Sequence, residues 1–236
     1  MLGLSQSLSL SALSLDDNRY DKDIKKYVKM YWIDYPVPEV YKAQLYQESR
    51  LKSTAVSPVG ASGIAQFMPK TWVQIARELN YDKYITPYDT KFAIEAGAYY
   101  MKKLRKAWNW KRPQIDKHKL ALASYNAGIG NLLKAQELCN NAILYKDIIK
   151  CLPQVTGKYS EETIMYNIYI YKYYKRIILK VPLEFKEPIK EKKIVEKVIT
   201  IDETDINSTD STDSTLILTE TYFKLIKTLK EYIYLD

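Results

Sequence analysis

A long stretch with an unbroken helical rhythm is TKFAIEAGAYYMKKLRKAW, residues 90–108. In it Ile94, Ala98, Met101, Leu104 and Trp108 recur at intervals of three and four. That spacing stacks them on one side of a helix and turns the charged residues outward. The rhythm returns in residues 20–34, where Ile24, Tyr27, Val28 and Tyr31 share a stripe. It restarts after each proline break. Pro36 and Pro38 end the first helix, and Pro38 suits the first position of a second over 38–51, with Glu39 in its first turn. Pro69 opens a third, through about Leu79, with Trp72, Ile75, Ala76 and Leu79 inward. Asp116 is placed to cap a helix over 117–126 that stops at Gly128, and a short helix covers 130–139. Ser160, followed by Glu161 and Glu162, reads as the N-cap and acidic first turn of a helix over about 160–180. No segment carries a strong strand alternation, and no solenoid period is present. The pattern predicts a mainly α chain.

Three segments differ in composition. MLGLSQSLSLSALSLDD is rich in Ser and Leu, but no Lys or Arg precedes its apolar run as in a signal peptide. Residues 1–19 are therefore expected to be a flexible leader. Residues 20–180 hold the helical stripes and form the expected compact domain. From Val181-Pro182 the chain turns charged and then Ser/Thr/Asp-rich (INSTDSTDST). Residues 217–234, ILTETYFKLIKTLKEYIY, are patterned as an amphipathic helix that can dock on a partner, a membrane surface or the main domain. Residues 181–236 are thus expected to be a linker and tail, a flexible C-terminal extension.

The formal net charge of +8 draws the chain toward anionic polymers: nucleic acid, anionic membranes or cell wall. No arginine-rich run, zinc-finger spacing or RNA-recognition signature supports nucleic acid, which is not expected as a partner. Cys139 and Cys151 lack metal-ligand spacing, and a single His118 cannot complete a zinc site with them, so neither a metal nor another cofactor is expected. The two thiols can bridge in an oxidising compartment or stand reduced and buried. His118 itself is expected to be solvated. Most of the 22 tyrosines are attributed to biased composition, since Ile and Lys are abundant too.

One carboxylate stands apart. In QESRLKSTAVSPVGASGIAQFMPK, residues 47–70, Glu48 is the only acidic residue, and the next along the chain is Glu78. Val37, Tyr41, Leu45 and Glu48 recur at helical spacing. Glu48 therefore extends an apolar face near a helix C-terminus, where the dipole does not stabilise a carboxylate. Arg50 points away from it, and Lys52 can reach it only if the helix continues that far. A buried, cation-free carboxyl has a raised pKa and can act as a general acid near neutral pH. Most glycosidases pair two carboxylates, and this segment offers one. One carboxyl suffices where the substrate supplies its own nucleophile, as the C6 hydroxyl of N-acetylmuramic acid can.

The surrounding residues resemble the soluble lytic transglycosylase family, which is similar to goose-type lysozyme. Glu48-Ser49, Ala55, Ser57, Gly60-Ala61, Gly63, Gln66 and Met68-Pro69 match its first block in order. Asp89, Ile94, Gly97 and Tyr100 match a second segment; Ser124-Tyr125-Asn126-Ala127-Gly128 resembles a third, A-Y-N-A-G; and Glu162, Thr163 and Tyr166 fit E-T-x-x-Y. The chain departs at Thr90, where the family has Pro, and at Ser124, where it has Ala. The resemblance covers about residues 37–176. It implies a lysozyme-like fold, Glu48 as acid and base, and a substrate groove formed by Ser57, Gln66, Met68, Tyr125, Asn126 and Glu162. It also implies cleavage of the bond between N-acetylmuramic acid and N-acetylglucosamine in peptidoglycan with formation of a 1,6-anhydro ring. A hydrolytic lysozyme of the same fold and a non-catalytic glycan-binding module are the alternatives. The expected setting is the cell wall, periplasm or extracellular space, including a virion, with a phage, secretion or conjugation assembly as partner of the tail.

Overall fold

The computed structural model describes residues 14–180. The linker, the amphipathic tail and most of the leader lie outside the described residues, and with them the expected docking of the tail. Eight helices follow one another: α1 (Asp21–Tyr31), α2 (Pro38–Ser49), α3 (Pro69–Glu78), α4 (Thr90–Ala107), α5 (Gln114–Ala127), α6 (Ile129–Leu138), α7 (Tyr145–Thr156) and α8 (Tyr159–Leu179). No regular strand occurs among the described residues; isolated bridges join Val56 to Ser62 and Ser62 to Phe67. The mainly α expectation holds.

Helix α2 lies along α8, α1 packs on α4, α6 packs on α7, and α5 touches α4, α6 and α8. The larger core cluster includes Ile24, Tyr41, Leu45, Ile94, Met101 and Ile170; a second gathers Trp108, Leu120, Leu132, Ile148, Leu152 and Ile164. The stripe of 90–108 is buried as its spacing requires. Gly97 marks a close approach between α4 and α2. A Cβ there would overlap the Tyr41 hydroxyl, which donates to the Ile94 carbonyl at 2.6 Å.

Several local expectations are corrected. The second helix ends at Ser49 rather than 51, because Arg50 and Leu51 both take left-handed backbone, with φ of 55° and 58°. Ser160 is not an N-cap: it lies inside the first turn of α8 and its hydroxyl donates to the Gly157 carbonyl at 2.7 Å. Asp116 does not cap α5, which starts two residues earlier; its Oδ1 accepts the first amide of α7, from Tyr145, at 2.7 Å. Helix α7 itself was not expected from the sequence. Leu15, assigned to the leader, is 1% exposed in the core, and Asp16 pairs with Arg176 at 3.0 Å, so these two residues pack with the helices.

His118 is the largest correction. It is fully buried, between the Trp32 and Tyr35 rings, with Nδ1 3.4 Å from the Arg105 guanidinium. Burial and that neighbouring cation hold it far below its ordinary pKa, so it is a neutral core residue. Cys139 and Cys151 form a disulfide with Cα atoms 5.8 Å apart, clipping the end of α6 to α7.

Candidate active site

Glu48 is the penultimate residue of α2. The two left-handed residues after Ser49 stop the helix, so Lys52 never reaches the position four residues on that would let it pair with Glu48. Arg50 turns the other way: its guanidinium lies over the Tyr46 and Tyr173 rings, and its Nη1 donates to the Tyr46 carbonyl at 3.0 Å. Leu51 is buried in the core, which holds the unfavourable left-handed backbone in place. The chain then folds through residues 52–68 in tight turns braced by their own amides.

Ser49 ties the helix end to that loop. Its hydroxyl donates to the Ile64 carbonyl at 2.8 Å, and it accepts the Lys52 amide at 3.2 Å. Ser57 closes the 57–61 turn: its amide donates to the Ala61 carbonyl and its Oγ accepts the Ala61 amide, both at 2.9 Å. Gly63, at φ of 76°, lies directly against the Pro87 carbonyl, where any Cβ would collide. Gln66, also left-handed, donates its side-chain amide to the Gly63 carbonyl at 2.8 Å and the Ala55 carbonyl at 3.2 Å. Its donors brace the loop, and its amide oxygen is the group it can offer a ligand. Met68 is 43% exposed at the entrance to α3, so it is not core filler.

From the other side, Tyr125 near the end of α5 donates to the Ala65 carbonyl at 2.6 Å, and its ring packs on Phe67 and Tyr100. Asn126 follows it. The Thr163 hydroxyl donates to Asn126 Oδ1 at 2.7 Å, which orients the amide so that Nδ2 donates to Glu162 Oε1 at 3.3 Å. One turn further along α8, the Tyr166 hydroxyl donates to Glu48 Oε1. The spacing of 162, 163 and 166 thus brings one helix against both α5 and Glu48.

The electrostatics single out Glu48. Removal from water pushes its pKa up to about 8; the nearby charge of Glu162 raises it and the Tyr166 hydrogen bond opposes the rise. The Glu48 charge in turn reaches Tyr41, Tyr125 and Tyr166, whose phenols are held well above their ordinary values chiefly by their own burial. No salt bridge to Glu48 occurs among the described residues. No cluster of three or more potential metal ligands occurs among them either. At neutral pH the carboxyl is protonated, with no cation paired to it among the described residues, poised to give a proton and take one back.

The structure thus places Glu48 in electrostatic contact with Tyr125 and Glu162, and links Asn126 to Glu162; Ser57 and Gln66 shape the adjoining loop. Sequence reasoning left out Tyr166, matched as part of a motif but given no role, and the ties made by Ser49 and Thr163. Tyr166 was within reach of inference, since it stands four residues from Glu162 on the same helix face.

The transglycosylase SLT domain family model matches residues 26–147. The membrane-bound lytic murein transglycosylase F of Pseudomonas putida is 28% identical over 144 residues, which cover 59% of this chain and 28% of that protein. The protein of the same name from Marinobacter nauticus is 32% identical over 124 residues, covering 52% and 23%. The chain thus spans about a quarter of the length of these curated relatives. Among solved structures, the 70 kDa soluble lytic transglycosylase of Escherichia coli superposes with a TM-score of 0.55 at 20% identity, over 69% of this chain and 25% of that one. An inactive mutant of lytic transglycosylase Slt from Pseudomonas aeruginosa gives 0.54 at 23%, over 70% and 25%. These likenesses show a shared fold. Helix α8, with Glu162 and Tyr166, lies beyond the residues that the family model matches.

Proposed function

Because this chain belongs to the transglycosylase SLT domain family, we propose that it is a peptidoglycan lytic transglycosylase acting at the cell wall with Glu48 as its only proton-transfer residue. The observation that carries the reading is the Glu48 carboxyl: dry, held by the Tyr166 phenol, without a cation among the described residues, and still a proton donor at neutral pH. In the forward step Glu48 gives its proton to the glycosidic oxygen, and the bond from that oxygen to C1 of N-acetylmuramic acid breaks. The resulting carboxylate takes the proton of the C6 hydroxyl on the same sugar, whose oxygen bonds to C1. The products are a 1,6-anhydro end and a free N-acetylglucosamine hydroxyl, with Glu48 again protonated and no water consumed. Intramolecular attack favours this route, since the nucleophile is already attached. Tyr166 steadies the carboxylate between the two transfers. Asn126, with its amide turned by Thr163, and the exposed Met68 are offered as substrate contacts, with Ser57 and Gln66 shaping the loop beside them.

Hydrolysis is the second reading, favoured by one observation: the Glu162 carboxylate lies within electrostatic reach of Glu48, and paired carboxylates are what a water-activating glycosidase uses. Digesting purified sacculi and weighing the released muropeptides separates the two. Anhydro-ended products, lighter by one water, support the proposal; reducing ends alone overturn it.

A further inference from the structure

One turn before Glu48, helix α2 buries another polar side chain. Val40, Gln44 and Glu48 stand at intervals of four on one row of the helix, and Gln44 is 1% exposed. The helix also buries Lys42, but that charge is answered by Asp21 at 2.7 Å. The Gln44 amide is only half answered: its Oε1 has no hydrogen-bond partner among the described residues. Packing alone gives no reason for such a group. A buried carbonyl without a donor costs stability that an apolar side chain of the same size would not.

The other half of the amide meets the active site. Across the seam where α2 lies along α8, the Gln44 side chain hydrogen-bonds the Tyr166 phenol. The phenol has one hydrogen, and it goes to Glu48 Oε1. Its oxygen can then only accept, so the amide nitrogen is the atom that faces it. Donation to that oxygen fixes the hydroxyl rotor toward the carboxyl. It also polarises the O–H bond, which strengthens the next hydrogen bond in the chain. The titratable groups that face Glu48 are Tyr41 on α2, Tyr125 on α5, and Tyr166 and Glu162 on α8, and none of them is a cation. No hydrogen bond joins Gln44 to Glu48 among the described residues, so its influence passes through Tyr166.

Resting on the proposed function, we propose that Gln44 is a positioning residue for the acid: its amide donates to the Tyr166 phenol oxygen and so keeps the hydroxyl turned onto the Glu48 carboxylate between the two proton transfers. The test follows Glu48 itself, in the full chain labelled with ¹³C at the glutamate carboxyls, its signal assigned by its absence in Glu48→Gln. Gln44→Met keeps the length of the side chain and removes the donor. The Glu48 titration midpoint is expected to move to higher pH, because a weaker phenol donor favours the carboxylate less. Cleavage of sacculi per folded molecule is expected to fall roughly 3–10-fold, as for loss of one neutral hydrogen bond. In a Tyr166→Phe background the same substitution is expected to move neither. Gln44→Leu is measured alongside, and either variant that folds decides. An unmoved midpoint in the single variant overturns the proposal, even where the melting temperature changes, since that is all a packing role predicts. An equal shift in the Tyr166→Phe background also overturns it. The titration needs no substrate, so reducing-end products from sacculi would discard the transglycosylase reaction and leave the positioning result standing.

Discussion

Two buried ionisable clusters in this domain are built on opposite terms. Arg105, 4% exposed, is saturated: Nη2 meets Asp34 at 2.9 Å and the Gln114 side-chain oxygen at 2.8 Å, Nη1 faces His118, and the Tyr35 ring stacks 4.9 Å away. Its charge is answered, and the cluster joins α4 to α5 and to the segment after α1. Among the described residues Glu48 has the Tyr166 phenol and no counter-charge, so its burial is relieved by keeping a proton instead of pairing with a cation. A buried group that is fully paired is doing structural work. A buried group left without a counter-charge is held in a state that chemistry can use.

Glu48→Gln should break the comparison most sharply. The neutral amide is near in shape but can neither give nor recover a proton, so cleavage of sacculi should fall at least ~10³-fold, toward the upper part of what acid–base catalysis supplies. Stability should move the other way. The folded carboxyl titrates near 8 and the unfolded one near 4.5, so the unfolded chain loses its proton first as pH rises. The contribution of protonated Glu48 is fully present below about 4.5 and is lost between there and 8. The variant should therefore melt higher than the parent at pH 8, with the gap closing by pH 4. A parent curve that is flat over that window would mean the carboxyl is not held protonated.

Arg105→Met is the complementary change. It removes the cation from a saturated network while keeping much of the apolar stem. Asp34 is half-exposed and can return to water, so the cost should be about 1–3 kcal/mol of stability, read as a lower urea midpoint. Turnover per folded molecule should be unchanged. A loss of turnover without a loss of stability would erase the distinction between the two clusters.

Tyr166→Phe sharpens it from within the site. The phenol donates to Glu48 Oε1, and its hydrogen bond favours the carboxylate. Without it the Glu48 pKa should rise further, moving the activity midpoint to higher pH. Turnover should drop roughly 10–100-fold, as for loss of one preorganised donor. An unchanged pH midpoint would show that the phenol only packs.

Much of the fold was legible because helices declare themselves locally. The stripe in 90–108 and the proline-led starts at 38 and 69 needed no tertiary information. Helix α7 did not: Pro153 lies inside it, and its first amide is answered by Asp116, 29 residues earlier. His118 was misjudged because the pocket that buries it is made by Trp32, Tyr35 and Arg105, none of them its neighbour in sequence. The site divides in the same way. The isolation of Glu48 is a property of a short segment and could be read there. Its partner Tyr166 stands 118 residues away, so the clue to it lay only in its place four residues after Glu162 on one helix face.

Ser49→Ala gives the smallest effect and tests whether Glu48 depends on placement as well as burial. The hydroxyl joins the end of α2 to the loop through the Ile64 carbonyl, one residue from the Ala65 carbonyl that Tyr125 holds from the other side. Neither contact touches the Glu48 carboxyl. Removing the hydroxyl leaves a buried carbonyl short of a donor, at a cost of about 1 kcal/mol. If the loop serves only as packing, the melting temperature drops a few degrees and turnover per folded molecule stays as it was. If the loop sets where the sugar lies against the acid, turnover falls severalfold with the pH midpoint unmoved, since the surroundings of the carboxyl are intact. We expect the second result, because Ser49 and Tyr125 grip adjacent carbonyls of one turn, and a shift of that turn changes the distance from sugar to proton before it changes the proton's affinity.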